Sequence, residues 1–179
     1  MSDPSLRIGE ILPEFLDLKG VDGKRYSSQQ LTDPVLVIVF SCNHCPYVQA
    51  YEERMKAFQT TYGSKGVRLV AINSNEIQNY PEDSFEKMIE RSKKQGFNFL
   101  YLRDEDQEVA RAFGATHTPQ FFVFDKTRKL RSSGKMDDNW KEPGQVKEFY
   151  LRDAVETLLA GRDVKIPETF SIGCTIKWR

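Results

Sequence analysis

Residues 35–40 read Val-Leu-Val-Ile-Val-Phe, an apolar run without alternation, and the chain then passes at once into Ser41-Cys42-Asn43-His44-Cys45-Pro46. A short β-branched run of this kind fits a strand covered on both faces. Proline is tolerated in the first turn of a helix, where its missing N–H has no intrahelical partner to lose. Beyond Pro46, residues Tyr47, Val48, Tyr51, Met55, Phe58 and Tyr62 recur at helical spacing. Two cysteines therefore stand at a strand-to-helix junction. Cys42 is expected at or near the helix N-cap, where unpaired N–H groups and the positive end of the helix dipole favour a thiolate. Cys45, one turn later, can close a small-loop disulfide with it and reopen, which is two-electron chemistry.

A chain of 179 residues is long enough to bury a core without covalent staples. One domain over residues 1–179 is expected, with an N-terminal hairpin extension (1–33), a core (34–161) and a C-terminal tail (162–179). Three cysteines, two of them in one Cys-x-x-Cys, do not resemble a secreted disulfide scaffold, so a reducing, cytoplasmic setting is expected. The first residues show no signal-peptide pattern, and no apolar stretch is long enough to cross a bilayer. Lys and Arg number 26 against 26 Asp and Glu, which leaves no overall field to attract nucleic acid or an anionic membrane. Neither is expected as a partner. The basic stretch 126–131 reads as a solvated hairpin.

Taken in order, residues 14–18 and 25–26 read as a short hairpin with its turn at 21–24, followed by one helical turn at 27–31. Strand 35–40 is the expected centre of the sheet. Its helix ends at Gly63 and Gly66, and a second buried strand follows at 67–72, closing at Asn73-Ser74-Asn75. Phe85, Met88 and Ile89 mark a helix with residues 81–84 as its first turn and Gly96 as its stop. Residues 97–102 suit a strand, and Val109, Ala110 and Phe113 a short helix stopped at Gly114. The pattern then gives a hairpin, 121–124 with 129–132, and a last helix over 145–160. Strands alternating with helices, closed by a hairpin and a helix, predict an α/β fold: a central mixed sheet with helices on both faces.

Several pieces carry a resemblance across nearly the whole chain: residues 8–15 (Ile-Gly-Glu-Ile-Leu-Pro-Glu-Phe), Cys42-Asn43-His44-Cys45-Pro46-Tyr47, Ala71-Ile72-Asn73-Ser74-Asn75, Thr118-Pro119 before a strand, Asp137-Asp138-Asn139, and residues 172–178. Together they resemble the thioredoxin superfamily, and within it a bacterial, peroxiredoxin-like redoxin subgroup related to the AhpC/TSA proteins. The resemblance implies a thioredoxin fold, with Pro119 as a cis-proline facing the cysteine pair and the Thr118 backbone free to pair with a bound substrate strand. It also implies an electron donor of the thioredoxin/thioredoxin reductase or glutathione type, a disulfide-bearing protein or a peroxide as substrate, and no cofactor beyond the cysteine pair.

Two departures bear on the chemistry. Peroxiredoxins place Pro seven residues, and Thr or Ser three residues, before the peroxide-reactive cysteine. Here those positions hold Val35 and Val39 for Cys42, and Ile38 and Cys42 for Cys45. Thioredoxins also bury an acid in the strand before the motif, and residues 35–40 contain none. A proton acceptor for Cys45 must come from elsewhere, with water, Asp137 and Asp138 as candidates.

The leading reading is thiol–disulfide exchange, with Cys42 as nucleophile and Cys45 resolving the mixed disulfide. Alternatives are a thiol peroxidase with Cys42 as the peroxidatic cysteine, and a non-enzymatic redox sensor or binding module. A zinc site would need four ligands from Cys42, Cys45, His44, His117 and Cys174, without a second Cys-x-x-Cys, and no metal is expected. His44 either stabilises the Cys42 thiolate or is a plain exposed histidine, while His117 reads as a loop residue. Cys174 is read first as a small hydrophobe in a packed tail and second as another resolving thiol. Asp137-Asp138-Asn139 reads as a turn.

Overall fold

In a computed structural model, which describes residues 5–179, the run Val35–Phe40 forms strand β3 with every side chain buried. (β1 and β2, which precede it, are Leu18–Gly20 and Arg25–Tyr26.) Residues 1–4, where a leader would begin, lie outside the described residues. The lack of alternation along β3 has a direct cause, since successive side chains point to opposite faces. Leu36, Ile38 and Phe40 enter one apolar cluster and Val35, Val37 and Val39 the other. β3 pairs in parallel with β4 (Val67–Asn73) and antiparallel with β7 (Gln120–Phe124). The same split recurs on those strands: Val70, Ile72, Phe122 and Phe124 face the first cluster, and Leu69, Ala71, Phe121 and Val123 the second.

The mixed sheet has seven strands in the order β2-β1-β5-β4-β3-β7-β8, with β5 at Leu100–Arg103 and β8 at Leu130–Gly134. Helices α1 (Pro46–Tyr62), α2 (Phe85–Gln95) and α4 (Tyr150–Leu159) pack on one face through Tyr51, Met55, Met88, Leu151 and Val155. Helix α3 (Glu108–Phe113) covers the other face through Val109, Ala110 and Phe113, together with Phe15, Leu31 and Ile176 from the two ends of the chain. This is the α/β thioredoxin-like fold expected. Among the described residues no helix is long and apolar enough to cross a membrane.

Three boundaries differ from the sequence reading, each for a local reason. The first strand begins at Leu18 rather than at 14, because Asp17 takes a left-handed conformation (φ 59°) and breaks the extended run. β1 also pairs with β5, so the N-terminal hairpin extends the edge of the main sheet. β5 starts at Leu100 because Phe97 still belongs to the end of α2: the Gly96 N–H donates to Lys93 O and the Phe97 N–H to Ser92 O, closing the helix with Gly96 left-handed. The final helix begins at Tyr150, not 145. Residues 146–149 are drawn off by the turn before them, where Asp138 Oδ1 accepts the Lys147 N–H (2.9 Å) and the Asp138 N–H donates to Glu148 O (3.2 Å).

The tail carries little regular structure, as expected, yet it is pinned. Its short strand β9 (Cys174–Thr175) pairs antiparallel with β6 (His117–Thr118), beside a cis Thr118–Pro119 bond. That strand pair is the element that completes the site.

Candidate active site

β3 ends at Phe40, and the next N–H, from Ser41, still donates to Ile72 O (2.9 Å), which holds the chain against β4 as it turns. The N-cap of α1 is Cys45, with Pro46 at the first helical position. The expectation that Cys42 caps the helix is therefore corrected by one turn: proline takes the first position because its missing N–H is no loss there, and that fixes Cys45 as the cap. Cys42 lies in the bend before it. Both residues are buried, at 2% and 0% exposure.

Around the bend stands a network of buried polar groups. Asp83 Oδ1 accepts the Asn43 N–H (2.7 Å) and Asn73 Nδ2 (3.2 Å), and Asp83 Oδ2 accepts Asn75 Nδ2 (2.9 Å). Asn43 Nδ2 donates to Glu82 O, and Asn43 Oδ1 accepts the Tyr101 hydroxyl (2.8 Å). A fully buried carboxylate is tolerable only when its oxygens are satisfied in this way. Asp83 is the acid near the pair, and it faces Cys42, whereas Asp137 bonds Tyr51 and Arg54 and Asp138 bonds the backbone of residues 147 and 148. Of the acceptors expected for Cys45, water, Asp137 and Asp138, the two carboxylates are engaged with other partners.

His44 Nδ1 lies 2.7 Å from Asp83 Oδ2 without the alignment of a directed hydrogen bond, and its ring stacks on Tyr80. Cys42, His44 and Asp83 together place three ligand-type atoms within 4.8 Å of one another. The Asp83 oxygens already accept three N–H bonds, which marks the group as a hydrogen-bond network. His117, expected in a loop, begins the short strand β6 opposite Thr175, and bonds Thr116 and Gln120 beside the cis-proline.

The sulfurs meet at that loop. Cys42 Sγ is 3.5 Å from Thr118 Oγ1, Cys45 Sγ is 3.5 Å from Thr118 O, and Cys174 Sγ is 2.7 Å from Cys45 Sγ. Cys174 is packed in the tail as first read, half-buried against Cys42, Cys45 and Val48, and β9 sets its sulfur beside Cys45 rather than Cys42. The hydrogen bond from the Cys42 thiol lowers the Cys45 pKa to about 4, helped by the Cys174 thiol and by the backbone N–H groups of Val48 and Cys174, against the opposing effect of burial. The same bond to Cys45, with burial and the Asp83 charge, pushes the Cys42 thiol up. Burial and the bond to Cys45 push Cys174 up to about 11. Within this cluster the shifts run down at Cys45, at a helix N-terminus that favours a thiolate, and up at Cys42 and Cys174. As a thiol, Cys45 has Thr118 O and Cys174 Sγ within reach as acceptors.

The residues missed from sequence were Asn43, Asp83 and Tyr101. Polar Asn73-Ser74-Asn75 at the end of an apolar strand was their available signal, since buried amides require partners.

A mixed sheet with a cysteine pair at the β3–α1 junction and a cis-proline opposite defines a thioredoxin-like redoxin with a Cys42-x-x-Cys45 pair. The AhpC/TSA family model matches residues 8–133, well over half of the sequence, and the chain belongs to that family. A comparison with curated proteins finds no match. Among solved structures, the chain is similar to a hypothetical protein from Sinorhizobium meliloti 1021 (37% identity, 98% of this chain and 97% of that one, TM-score 0.90). It is also similar to an uncharacterized conserved protein from Geobacillus kaustophilus (38% identity, 100% and 96%, TM-score 0.90). A third similar structure is a thiol:disulfide interchange protein of the thioredoxin family from Chlorobium tepidum TLS (26% identity, 73% and 87%, TM-score 0.60).

Proposed function

We propose that the protein is a thiol–disulfide oxidoreductase working through Cys42 and Cys45. The observation that carries this reading is the cysteine pair at the start of α1, with both sulfurs 3.5 Å from Thr118 in the cis-proline loop. The opposite shifts of the two thiols, down at Cys45 and up at Cys42, support Cys45 as the attacking sulfur in place of the Cys42 expected from sequence. Cys45 attacks one sulfur of a substrate disulfide, the other sulfur leaves as a thiolate, and a mixed disulfide forms on Cys45. Cys42, giving up its proton to the medium, then attacks Cys45 Sγ and expels the second substrate thiolate. Two electrons pass to the substrate and the pair is left as a disulfide. A thiol donor returns them, either a dithiol of the thioredoxin/thioredoxin reductase type or two molecules of a monothiol such as glutathione. The similar thiol:disulfide interchange protein of Chlorobium tepidum supports the same class of reaction.

A thiol peroxidase is the second reading. Family membership favours it, and so does the Thr118 hydroxyl 3.5 Å from Cys42, a hydroxyl that strand β3 lacks.

Reduction of a protein disulfide such as insulin, driven by dithiothreitol, tests the proposal. Wild type is expected to accelerate it, Cys45→Ser to lose the activity, and Cys42→Ser combined with Cys174→Ser, which leaves Cys45 as the one cysteine, to accumulate a mixed disulfide on Cys45. A wild type that consumes peroxide while leaving disulfides untouched would move the assignment to the peroxidase. A Cys45→Ser variant as active as wild type would remove the pair from the chemistry, leaving a binding or sensing module.

A further inference from the structure

The edge of the cis-proline strand, where an incoming substrate strand would pair, is already paired with the chain's own tail. Cys174 stands opposite Thr118 and Thr175 opposite His117, and the Ile176 N–H donates to Thr116 O (2.9 Å). Position 173 admits only glycine, because a Cβ there would come within 2.1 Å of Thr118 O. The tail is held on both sides of this crossing. Before it, the Thr169 N–H donates to Ser133 O and Thr169 Oγ1 accepts the Lys135 N–H. After it, Lys177 O accepts the Glu76 N–H and Gln107 Nε2, and the Lys177 N–H donates to Asn75 Oδ1.

This crossing sets Cys174 Sγ 2.7 Å from Cys45 Sγ, a separation not far beyond the roughly 2.05 Å of a disulfide bond. Of the three sulfurs, Cys174 belongs to the least buried residue. A substrate strand therefore meets either the tail in its own place or the sulfur that the tail presents.

We propose that Cys174 is a third redox sulfur, held by the tail as an internal substrate strand on the cis-proline edge, and that it exchanges a disulfide with Cys45. The inference rests on the Cys42–Cys45 exchange reading and adds a step to it. An external disulfide, of which oxidised glutathione is the chemical class, is attacked by Cys174 as thiolate. One half leaves as a thiolate, and the Cys45 thiolate then displaces the other half to give a Cys45–Cys174 disulfide. The Cys42 thiolate attacks Cys45 Sγ: the 45–174 bond breaks, the 42–45 bond forms, and Cys174 leaves as a thiolate that takes up the proton Cys42 gave up. That last step moves the disulfide without net oxidation. Cys45 is the hub, bonded in turn to the tail and to its partner in the motif.

The test is disulfide mapping of the full-length protein equilibrated with oxidised and reduced glutathione, quenched by alkylation and read by peptide mass spectrometry. In Cys42→Ser the expected product is an intramolecular Cys45–Cys174 disulfide with loss of both free thiols. In wild type both the 42–45 and the 45–174 disulfides are expected. Cys174→Ser keeps the 42–45 disulfide and forms it about tenfold more slowly, because its exposed partner is gone. The inference fails if Cys42→Ser keeps Cys45 and Cys174 free, or glutathionylated, at a poise that oxidises the wild-type pair. Wild-type mapping decides the same point without any variant: a 42–45 disulfide with no trace of 45–174 removes Cys174 from the chemistry and leaves the exchange reading intact. If no 42–45 disulfide forms in wild type or in Cys174→Ser, the exchange reading itself fails, and this inference with it.

Discussion

Strand β3 and the tail deliver sulfur to the same site by different physics. β3 is held by burial, six consecutive side chains sealed between two apolar clusters, and it carries Cys42 and Cys45 to the head of α1. The tail is held mostly by hydrogen bonds. Ile176 is its buried apolar anchor, while Phe170 is 93% exposed and Ile172 44% exposed. Burial is cooperative across a whole core, whereas a strap tied by a few polar contacts can open by itself. The comparison implies a rigid pair of cysteines met by a sulfur that can come and go.

Three substitutions and a titration sharpen or break that contrast. The largest expected effect is in the strand. Ile38→Ala removes a fully buried side chain and should lower global stability by about 2–5 kcal/mol. A urea transition measures it, and a change near zero would mean that β3 is not the shared wall of both clusters.

The next effect is on pH dependence. Cys45 has a folded pKa lowered to about 4, against about 8.5 for an unfolded thiol. A depressed pKa contributes stability that is present in full above the unfolded value and is lost as pH falls through the folded one. The reduced protein should therefore lose stability from about pH 8.5 down to about 4. Cys42 and Cys174, both raised, add the opposite slope above the unfolded thiol value, as the unfolded chain releases protons that the folded one keeps. Reduced protein should show this dome and oxidised protein should not. Alkylation of Cys45 against pH gives the same midpoint independently, and a midpoint near that of a free thiol would place the charge elsewhere.

A smaller effect is expected from Gly173→Ala. The added Cβ collides with Thr118 O, so β9 should leave its edge while β3 stays put. Cys45 would lose the thiol and N–H bonds that Cys174 supplies, and its alkylation midpoint should rise. Cys174 should become about tenfold more reactive as its sulfur reaches solvent. If the urea midpoint fell as far as for Ile38→Ala, the tail would be part of the core and not a separable strap.

The same contrast explains what the sequence could show. A buried strand, the helical stripe after Pro46 and the glycine stops are local patterns, and the elements around them were legible. Cys45 as N-cap was legible too, because Pro46 marks the first helical position, yet the reading placed the cap at Cys42 by following the end of the strand. Asp83 was hidden by distance: it lies 40 residues from the Asn43 N–H that it accepts, and its turn looked like an ordinary helix start. Cys174 was hidden by the absence of any period in the tail. Gly173 beside it was the one cue, and a glycine required by a close backbone approach cannot be told from a turn glycine without the partner strand.

The smallest expected effect lies at the far end of the strap. Trp178 sits over Arg111, with the guanidinium 5.4 Å from the ring centroid, and neither side chain touches a sulfur. An exposed cation–π contact contributes about 0.5–1 kcal/mol. Trp178→Ala should thus raise the open population of the tail about two- to fivefold, with no measurable change in the urea midpoint. Amide hydrogen exchange would show it as faster exchange at Ile176 and Lys177, whose N–H groups bond Thr116 O and Asn75 Oδ1, with the β3 amides unaltered. Slower formation of a Cys45–Cys174 disulfide should accompany it. Equal acceleration at the β3 amides would show that strap and core open together, and the idea of a detachable sulfur on a fixed pair would fall.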